Sequence, residues 1–437
     1  IKKLLFIFFI SFFITNNSSA EYVIDYYRWL LDNNQIQFLD KEKKLKRWLF
    51  DSKKLGERFK WGTNPSLEKL HYQVFHFNKQ HDNWDKHIIN GSSKPHKFKI
   101  NLKEDKKKLI KSIDKEMQRS GLLSYLLFEN DEIIIDKKSP KSRLGLLFDD
   151  DTKWTTASVG KSFTSYVVGQ AICDGYIENV DVKLNDWPLI KNTLYEDAKL
   201  IDLLNMAAGD QKYSKNDLVN TRPKNPNVNS LKYHMEGHFK GSKPSKKKFN
   251  YGNIVTNIII NYVWFKSNGD FQKITDKVFK EKARIEDSIY FLKISNRTTR
   301  GMKDGIRYKY EVKDEDGPLR YSMELSRYDY LRVAKAMLDD WKNDTCVGKY
   351  LKTIHERRIS KNRENYNNKI KTAYNYGRSY GGQFHFDYPG FKNRNIFALD
   401  GAYGQSIIID MDNSKIVSVN GIHMNYNWHK IALSALK

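Results

Sequence analysis

Cysteine is scarce in this sequence, with only Cys173 and Cys346 among 437 residues. Two cysteines are too few for the disulfide framework that holds many exported domains together. Cys173 lies in an apolar stretch with helical character, so the sequence predicts a buried free thiol there. The chain is long enough for two domains, or for one large domain with an insertion.

Acidic residues are outnumbered, with 52 Asp and Glu against 76 Lys and Arg and a net charge of +24. Such an excess suits a nucleic-acid or membrane-surface partner. The basic residues are spread along the chain, however, without a helix-turn-helix, zinc-finger or single-strand-binding signature. The abundance of Asn, Ile and Tyr favours composition bias, and we expect no nucleic-acid partner. Electrostatic association with an acidic envelope surface stays an alternative.

The histidines lack the spacing of a metal site. Five of the 11 fall between residues 71 and 96, and their spacings match no standard zinc pattern. His234 and His238 are four residues apart, but Met235 stands where a zinc-protease helix needs Glu. The sequence therefore predicts no metal, and we expect no organic cofactor.

The apolar run at 4–14 is too short to span a bilayer, which needs ~20 residues. Two lysines precede it and small residues follow at 18–20, which is the order of a secretory signal peptide. The pattern predicts a signal peptide over 1–20, a mature chain from about Glu21, and a periplasmic or secreted protein. A retained N-terminal anchor is the alternative.

Apolar periodicity predicts one sheet built by both ends of the chain. A helix is predicted over 106–120, followed by a strand hairpin at 122–128 and 133–135. Four more strands are predicted near the end, at 382–386, 396–399, 406–410 and 416–419. The segment 185–340 between them is mostly helical and loop-like. These elements predict an α/β protein of the α+β type, with an antiparallel sheet flanked by helices and an all-helical insertion.

The segment 157–162, ASVGKS, opens a long apolar helix predicted at 158–175. At a spacing of three, Ser158 and Lys161 lie on the same helix face. Ser158 stands at the helix N-terminus, where the dipole favours developing negative charge. Desolvation among apolar neighbours would lower the pKa of Lys161, so that its neutral amine can accept the serine proton. The spacing alone also fits a helix-capping serine and a surface lysine.

Further motifs follow in a fixed order. They are LIDLLNMAAG at 200–209, FNYGN at 249–253 and LDGAYGQ at 399–405. Together with ASVGKS, which matches the S-x-x-K motif, they resemble the class C β-lactamase-like and penicillin-binding superfamily of serine hydrolases. Within it the chain is most similar to the 6-aminohexanoate-dimer hydrolase branch. The resemblance spans residues 120 to 425.

The resemblance implies an acyl-enzyme mechanism. Ser158 would be the acylated nucleophile and Lys161 its base. Tyr251 would lie within reach of both and relay a proton to the leaving group. A buried core tyrosine is the alternative for Tyr251.

The resemblance also implies how the substrate is held. Asn253 would orient the substrate amide, with a simple turn residue as the alternative. The oxyanion hole would consist of the backbone N–H groups of Ser158 and of Ala402, the residue after Gly401.

One position departs from the pattern of the family members that bind β-lactams. These carry Lys or His two residues before the glycine that matches Gly401, where this chain has Leu399. The 6-aminohexanoate-dimer hydrolase branch lacks that cation too. Leu399 cannot pair with a substrate carboxylate, and we expect Asp400 to repel one.

We therefore expect an exported serine hydrolase that cleaves an amide or ester bond in a small-molecule or peptide-like substrate. Its hydrolase domain is predicted at 106–437, with a helical subdomain at 185–340, after a helical or irregular extension at 21–105. One alternative is a β-lactamase or a peptidase acting on the D-Ala ends of peptidoglycan. Another is a catalytically silent, penicillin-binding-like envelope protein that only binds.

Overall fold

The computed structural model describes residues 63–77, 85–214, 231–293, 298–303, 306–311, 319–361, 376–391 and 393–437. The predicted signal peptide and residues 21–62 of the predicted extension lie outside these ranges. Within them, none of the helices has both the length and the apolar character needed to cross a membrane.

The strands of the described chain are numbered in sequence order. They are β1 (Asp85–Ile89), β2 (Lys99–Ile100), β3 (Leu122–Glu129), β4 (Glu132–Lys138), β5 (Trp154–Thr155), β6 (Ile289–Lys293), β7 (Thr298–Lys303), β8 (Ile306–Glu311), β9 (Leu319–Leu325), β10 (Ile359–Ser360), β11 (Ser379–Gly381), β12 (Phe384–Phe386), β13 (Ile396–Gly401), β14 (Gln405–Asp410) and β15 (Lys415–Gly421).

A nine-stranded sheet has the order β10-β11-β12-β13-β14-β15-β3-β4-β2. The C-terminal strand β15 pairs antiparallel with the N-terminal strand β3, which joins both ends of the chain in one sheet. Strands β10 to β15 and β3 to β4 pair antiparallel, and only the short β2 pairs parallel, with β4. The predicted sheet of N- and C-terminal segments is confirmed.

A second, four-stranded sheet has the order β1-β6-β9-β5, and β7 pairs with β8 alone. Strands β6 to β9 lie inside 185–340, so the prediction of an all-helical insertion is wrong. Strands β1 and β2, which precede residue 106, pair with β6 and β4. Strands β6 and β9 escaped prediction because they bury their apolar side chains in the same core as the surrounding helices.

The longer helices and the short helix at 200–204 are also numbered in sequence order. They are α1 (Leu67–Phe77), α2 (Lys107–Arg119), α3 (Val159–Cys173), α4 (Leu200–Leu204), α5 (Ile254–Ser267), α6 (Arg327–Lys342) and α7 (Cys346–Glu356). Further helical turns are Pro188–Ile190, Gln211–Ser214, Leu231–Tyr233, His234–His238, Phe271–Thr275, Asp276–Lys282, Ala402–Gly404, Trp428–Ile431 and Leu433–Leu436.

The nine-stranded sheet has a core on each face. Side chains of β13 alternate between them: Phe397 and Leu399 face the core that contains α3, whereas Ala398 faces the core that contains α2. The period of two along a strand explains this division. Helix α3 lies inside the larger core and packs against α5, α7, β9 and β13.

The two cysteines form a disulfide, with their Cα atoms 5.8 Å apart. The prediction of a free thiol at Cys173 is therefore wrong. Cys173 ends α3 and Cys346 begins α7, and these helices pack so closely that a Cβ on Gly169 would lie 2.6 Å from the ring of Tyr350. The sequence separation of 173 residues hides this proximity in the sequence.

Candidate active site

A sharp turn between β5 and α3 presents Ser158 at the start of α3. Ala157, the residue before it, has a φ of 45°, a left-handed conformation that is uncommon outside glycine. Strand β9 holds the turn in place, because the amide of Thr156 donates to the carbonyl of Met323 and its hydroxyl accepts from the amide of Met323. These bonds to β9 hold Ala157 in its strained backbone conformation.

Gly160 is required by the close approach of α3 to β9. A Cβ at this position would lie 2.3 Å from the backbone oxygen of Tyr321. The glycine in the ASVGKS motif therefore lets the first turn of the helix rest against the strand. This contact brings Tyr321 beside Ser158 and Lys161.

Lys161 is buried, with a fractional exposure of 1%. Its Nζ donates to Oδ1 of Asn253 over 2.8 Å and lies 3.4 Å from the carbonyl oxygen of Gly252. Burial lowers the pKa of Lys161 well below its ordinary value of 10.5. The predicted desolvation of this amine is thus found in the structure, and a lowered pKa makes the neutral form accessible.

Tyr251 and Asn253 approach Lys161 from the segment before α5. Lys161 Nζ lies 5.3 Å from the centroid of the Tyr251 ring. That ring is stacked on His385 and meets Tyr380 edge-on, with centroids 6.4 and 5.9 Å away. The structure therefore brings the predicted residues Lys161, Tyr251 and Asn253 together beside the N-terminus of α3.

Gly401 ends β13 directly against the start of α3. A Cβ on this glycine would lie 3.2 Å from the backbone nitrogen of Ser158 and 2.6 Å from the carbonyl oxygen of Thr156. Ala402 follows at the first position of the turn Ala402–Gly404. The two segments whose N–H groups were predicted to form an oxyanion hole are thus neighbours.

Asp400 lies on the face of β13 away from α3. It pairs in register with Ser406, whose hydroxyl accepts from Nε1 of Trp428 in the core on the α2 side. Our expectation that Asp400 would repel a substrate carboxylate is therefore wrong. Leu399 is fully buried in the core on the α3 side, so this position supplies no cation either.

Tyr321 belongs to the same cluster and was not predicted. Its hydroxyl donates to Oδ1 of Asn253 over 2.9 Å, and Lys161 Nζ lies 3.7 Å from its ring centroid. Burial raises the pKa of Tyr321 to about 12. The alternation in β9 could have revealed it, since Tyr321 has the spacing of the buried apolar residues Leu319, Met323 and Leu325.

The described residues contain no group of His, Cys, Asp or Glu side chains arranged to hold a metal ion. His234 is buried, and the ring of His238 contacts the carbonyl oxygen of Tyr213 through Nε2. His385, which was predicted to pack structurally, lies behind Tyr251, and its Nδ1 is 2.8 Å from Nζ of Lys361. Burial, together with the charge of Lys361, lowers the pKa of His385, so its ring is neutral.

No protein-family model and no curated protein matches the sequence. Solved structures do match. A protein assigned as a 6-aminohexanoate-dimer hydrolase from Bacillus anthracis aligns with a TM-score of 0.57 at 13% identity, over 86% of this chain and 94% of its own. The hydrolase EstCE1, which has promiscuous acyltransferase activity, aligns with a TM-score of 0.51 at 11% identity, over 76% and 98%.

A third structure, assigned as a β-lactamase from Bacteroides dorei, aligns with a TM-score of 0.51 at 13% identity, over 77% of this chain and 98% of its own. Identities this low are evidence for a shared fold, and the function of this chain has to be argued from its site. The chain has the β-lactamase-like fold that these three structures share.

Proposed function

We propose that the protein is an exported serine hydrolase that cleaves an amide or ester bond through an acyl-enzyme on Ser158. The observation that carries this proposal is the burial of Lys161, which lies one helical turn from Ser158 and has a lowered pKa. Burial of an amine lowers the stability of the protein, so a buried lysine beside a serine suggests a function. A neutral amine in this position can act as the base for the serine.

Acylation would begin with proton transfer from Ser158 Oγ to the neutral amine of Lys161. Oγ attacks the carbonyl carbon of the substrate, and the carbonyl electron pair moves onto oxygen. The backbone N–H groups of Ser158 and Ala402 would stabilise that oxyanion, assisted by the dipole of α3. The close contact of Gly401 with the Ser158 nitrogen supports this assignment.

Collapse of the tetrahedral intermediate would expel the amine or alcohol, which takes the proton from the Lys161 ammonium through the hydroxyl of Tyr251. Water then attacks the acyl carbon and gives its proton to Lys161. The bond to Oγ breaks, the carboxylic acid leaves, and Ser158 takes the proton back from Lys161. Asn253 would orient the substrate, but its Oδ1 also binds Lys161 in the resting site. It therefore has a second task, which is to hold the base.

Export is supported by two features. The sequence predicts a signal peptide over 1–20, and the Cys173–Cys346 disulfide is of a kind that persists in oxidising compartments. Leu399 supports a substrate without a carboxylate near the scissile bond, because the position that would carry a cation lies in the core.

The test is active-site labelling with a fluorophosphonate, read by mass spectrometry. We expect one adduct on Ser158 in the wild type and none in Ser158→Ala. Ser165→Ala is the matched control, because Ser165 is on the same helix and its hydroxyl bonds to that of Tyr350, away from the nucleophile. Equal labelling of Ser158→Ala would show that another residue is the nucleophile.

Substrate preference separates this proposal from a β-lactamase. Loss of a charge-assisted contact to a carboxylate removes ~1.5–3 kcal/mol. We therefore expect kcat/KM for p-nitrophenyl butyrate to exceed that for a chromogenic cephalosporin by at least about tenfold. The reverse order would favour the β-lactamase, and labelling without turnover of any ester or amide would favour a protein that only binds.

A further inference from the structure

Tyr321 touches both the base and the residue that holds the base. Its hydroxyl donates to Oδ1 of Asn253, which also accepts from Lys161 Nζ. Its ring lies under the Lys161 amine, with the ring centroid 3.7 Å from Nζ. Side chains from α3 and from the segment before α5 thus meet at the Tyr321 side chain of β9.

The direction of these hydrogen bonds follows from the chemistry of the groups. An amide oxygen can only accept, so the proton of Tyr321 points to Asn253. Burial keeps the pKa of Tyr321 at about 12, so this phenol retains its own proton at neutral pH.

The two tyrosines beside Lys161 differ in their contacts. The ring centroid of Tyr321 is 3.7 Å from Nζ, whereas that of Tyr251 is 5.3 Å away. Tyr251 is stacked on His385 at the other wall of the site. An amine 3.7 Å from an aromatic face is in the range of a cation–π contact, which stabilises its charged form.

We propose that Tyr321 is a further catalytic residue of this site, with separate tasks for its hydroxyl and its ring. The hydroxyl donates to Oδ1 of Asn253 and so fixes the side chain that holds the Lys161 amine in place. The ring stabilises the ammonium that forms on Lys161 when the serine proton moves to Nζ. Tyr321 itself neither gains nor loses a proton in the step. The inference rests on the proposed function of Ser158 and Lys161.

Two substitutions separate the tasks. Tyr321→Phe keeps the ring and removes the hydroxyl, so we expect kcat for p-nitrophenyl butyrate and the rate of fluorophosphonate labelling to fall about tenfold, with KM little changed. Tyr321→Leu also removes the ring. The ammonium is then less stable, the pKa of Lys161 falls further, and the acidic limb of the pH profile of kcat/KM moves down by about half a pH unit.

Tyr290→Phe is the matched control, because Tyr290 lies on the neighbouring strand β6 and its hydroxyl binds Glu324. Its kcat and pH profile should equal those of the wild type. Thermal melting shows whether each variant folds, and if Tyr321→Leu does not, the nearly isosteric Tyr321→Phe decides the question. Labelling of Tyr321→Phe at the wild-type rate would overturn the role of Tyr321 while leaving Ser158 as the nucleophile. Absence of any adduct on wild-type Ser158 would overturn the proposed function and this inference together.

Discussion

Helices α2 and α3 lie on opposite faces of the same sheet and bury their residues in different ways. Helix α2 buries only Ile113, Glu116 and Met117 and exposes much of the rest to solvent. Helix α3 is buried from Val159 to Ala171, enclosed by α5, α7, β9 and β13. A helix buried on all sides loses the apolar stripe that marks an amphipathic helix, and its polar residues need partners inside the protein. Lys161 has such a partner in Asn253, and burial lowers the pKa of its amine.

The largest expected difference between the two helices is in the role of their lysines. Lys161→Met should lower kcat/KM by at least about 10³-fold, because it removes the base for Ser158. Lys111→Met, at an exposed position of α2, should leave the activity unchanged. Residues of one catalytic unit are not additive, so the double variant Ser158→Ala, Lys161→Met should be no slower than Ser158→Ala. Steady-state kinetics of the wild type and these four variants test this prediction. Near-normal activity of Lys161→Met would show that Lys161 is not the base.

The disulfide at the end of α3 has no counterpart on α2. Replacing both Cys173 and Cys346 by Ala should lower the free energy of unfolding by about 2–5 kcal/mol. Denaturant titration with and without reductant measures this: the wild type should lose stability in reductant and the double variant should not. Equal sensitivity of the two proteins to reductant would contradict a role for the bond.

The contact between α3 and β9 can be broken at a single glycine. Gly160→Ala places a Cβ 2.3 Å from the backbone oxygen of Tyr321, so strand and helix must separate. We expect a loss of about 1–3 kcal/mol in the free energy of unfolding and a fall in kcat. Gly237→Ala is the control, because a Cβ there meets nothing within 4 Å. Equal melting temperatures for the two variants would show that the helix does not need this close approach.

Lys161 is also expected to make the stability of the protein depend on pH. Its folded pKa lies well below the 10.5 of an exposed lysine. Between these two values the unfolded chain binds more protons, so wild-type stability falls as the pH is lowered, by at most about 1.4 kcal/mol per pH unit. Lys161→Met has no such group, and its stability relative to the wild type should grow as the pH falls from 10 to 7. A difference that stays constant in urea titrations over this range would argue against a depressed pKa.

Local patterns in the sequence were sufficient for much of this structure. The apolar periods predicted α2, α3 and the strands β3, β4, β13, β14 and β15 close to their observed bounds. The spacing of Ser158 and Lys161 is a property of one helix, and the motifs around Tyr251 and Gly401 completed the predicted site.

Tyr321 and the disulfide were missed because neither depends on local spacing. Tyr321 reaches Lys161 only because β9 pairs with β5, which precedes α3. Cys173 meets Cys346 only because α7 packs on α3. Contacts between segments far apart in the chain have no periodic signal, so the alternation within β9 does not show which helix that strand contacts.

The pairing of β15 with β3 has a consequence for how the protein folds. Strand β3 has to wait for β15, which is made almost 300 residues later. Such long-range pairing raises contact order and slows folding, and the incomplete chain exposes the edge of β3 during that time. Gly401 and Ala402 also come late in the chain. A partly synthesised molecule therefore has its serine and lysine but lacks one half of its predicted oxyanion hole, so hydrolytic activity would arise only when the sheet closes.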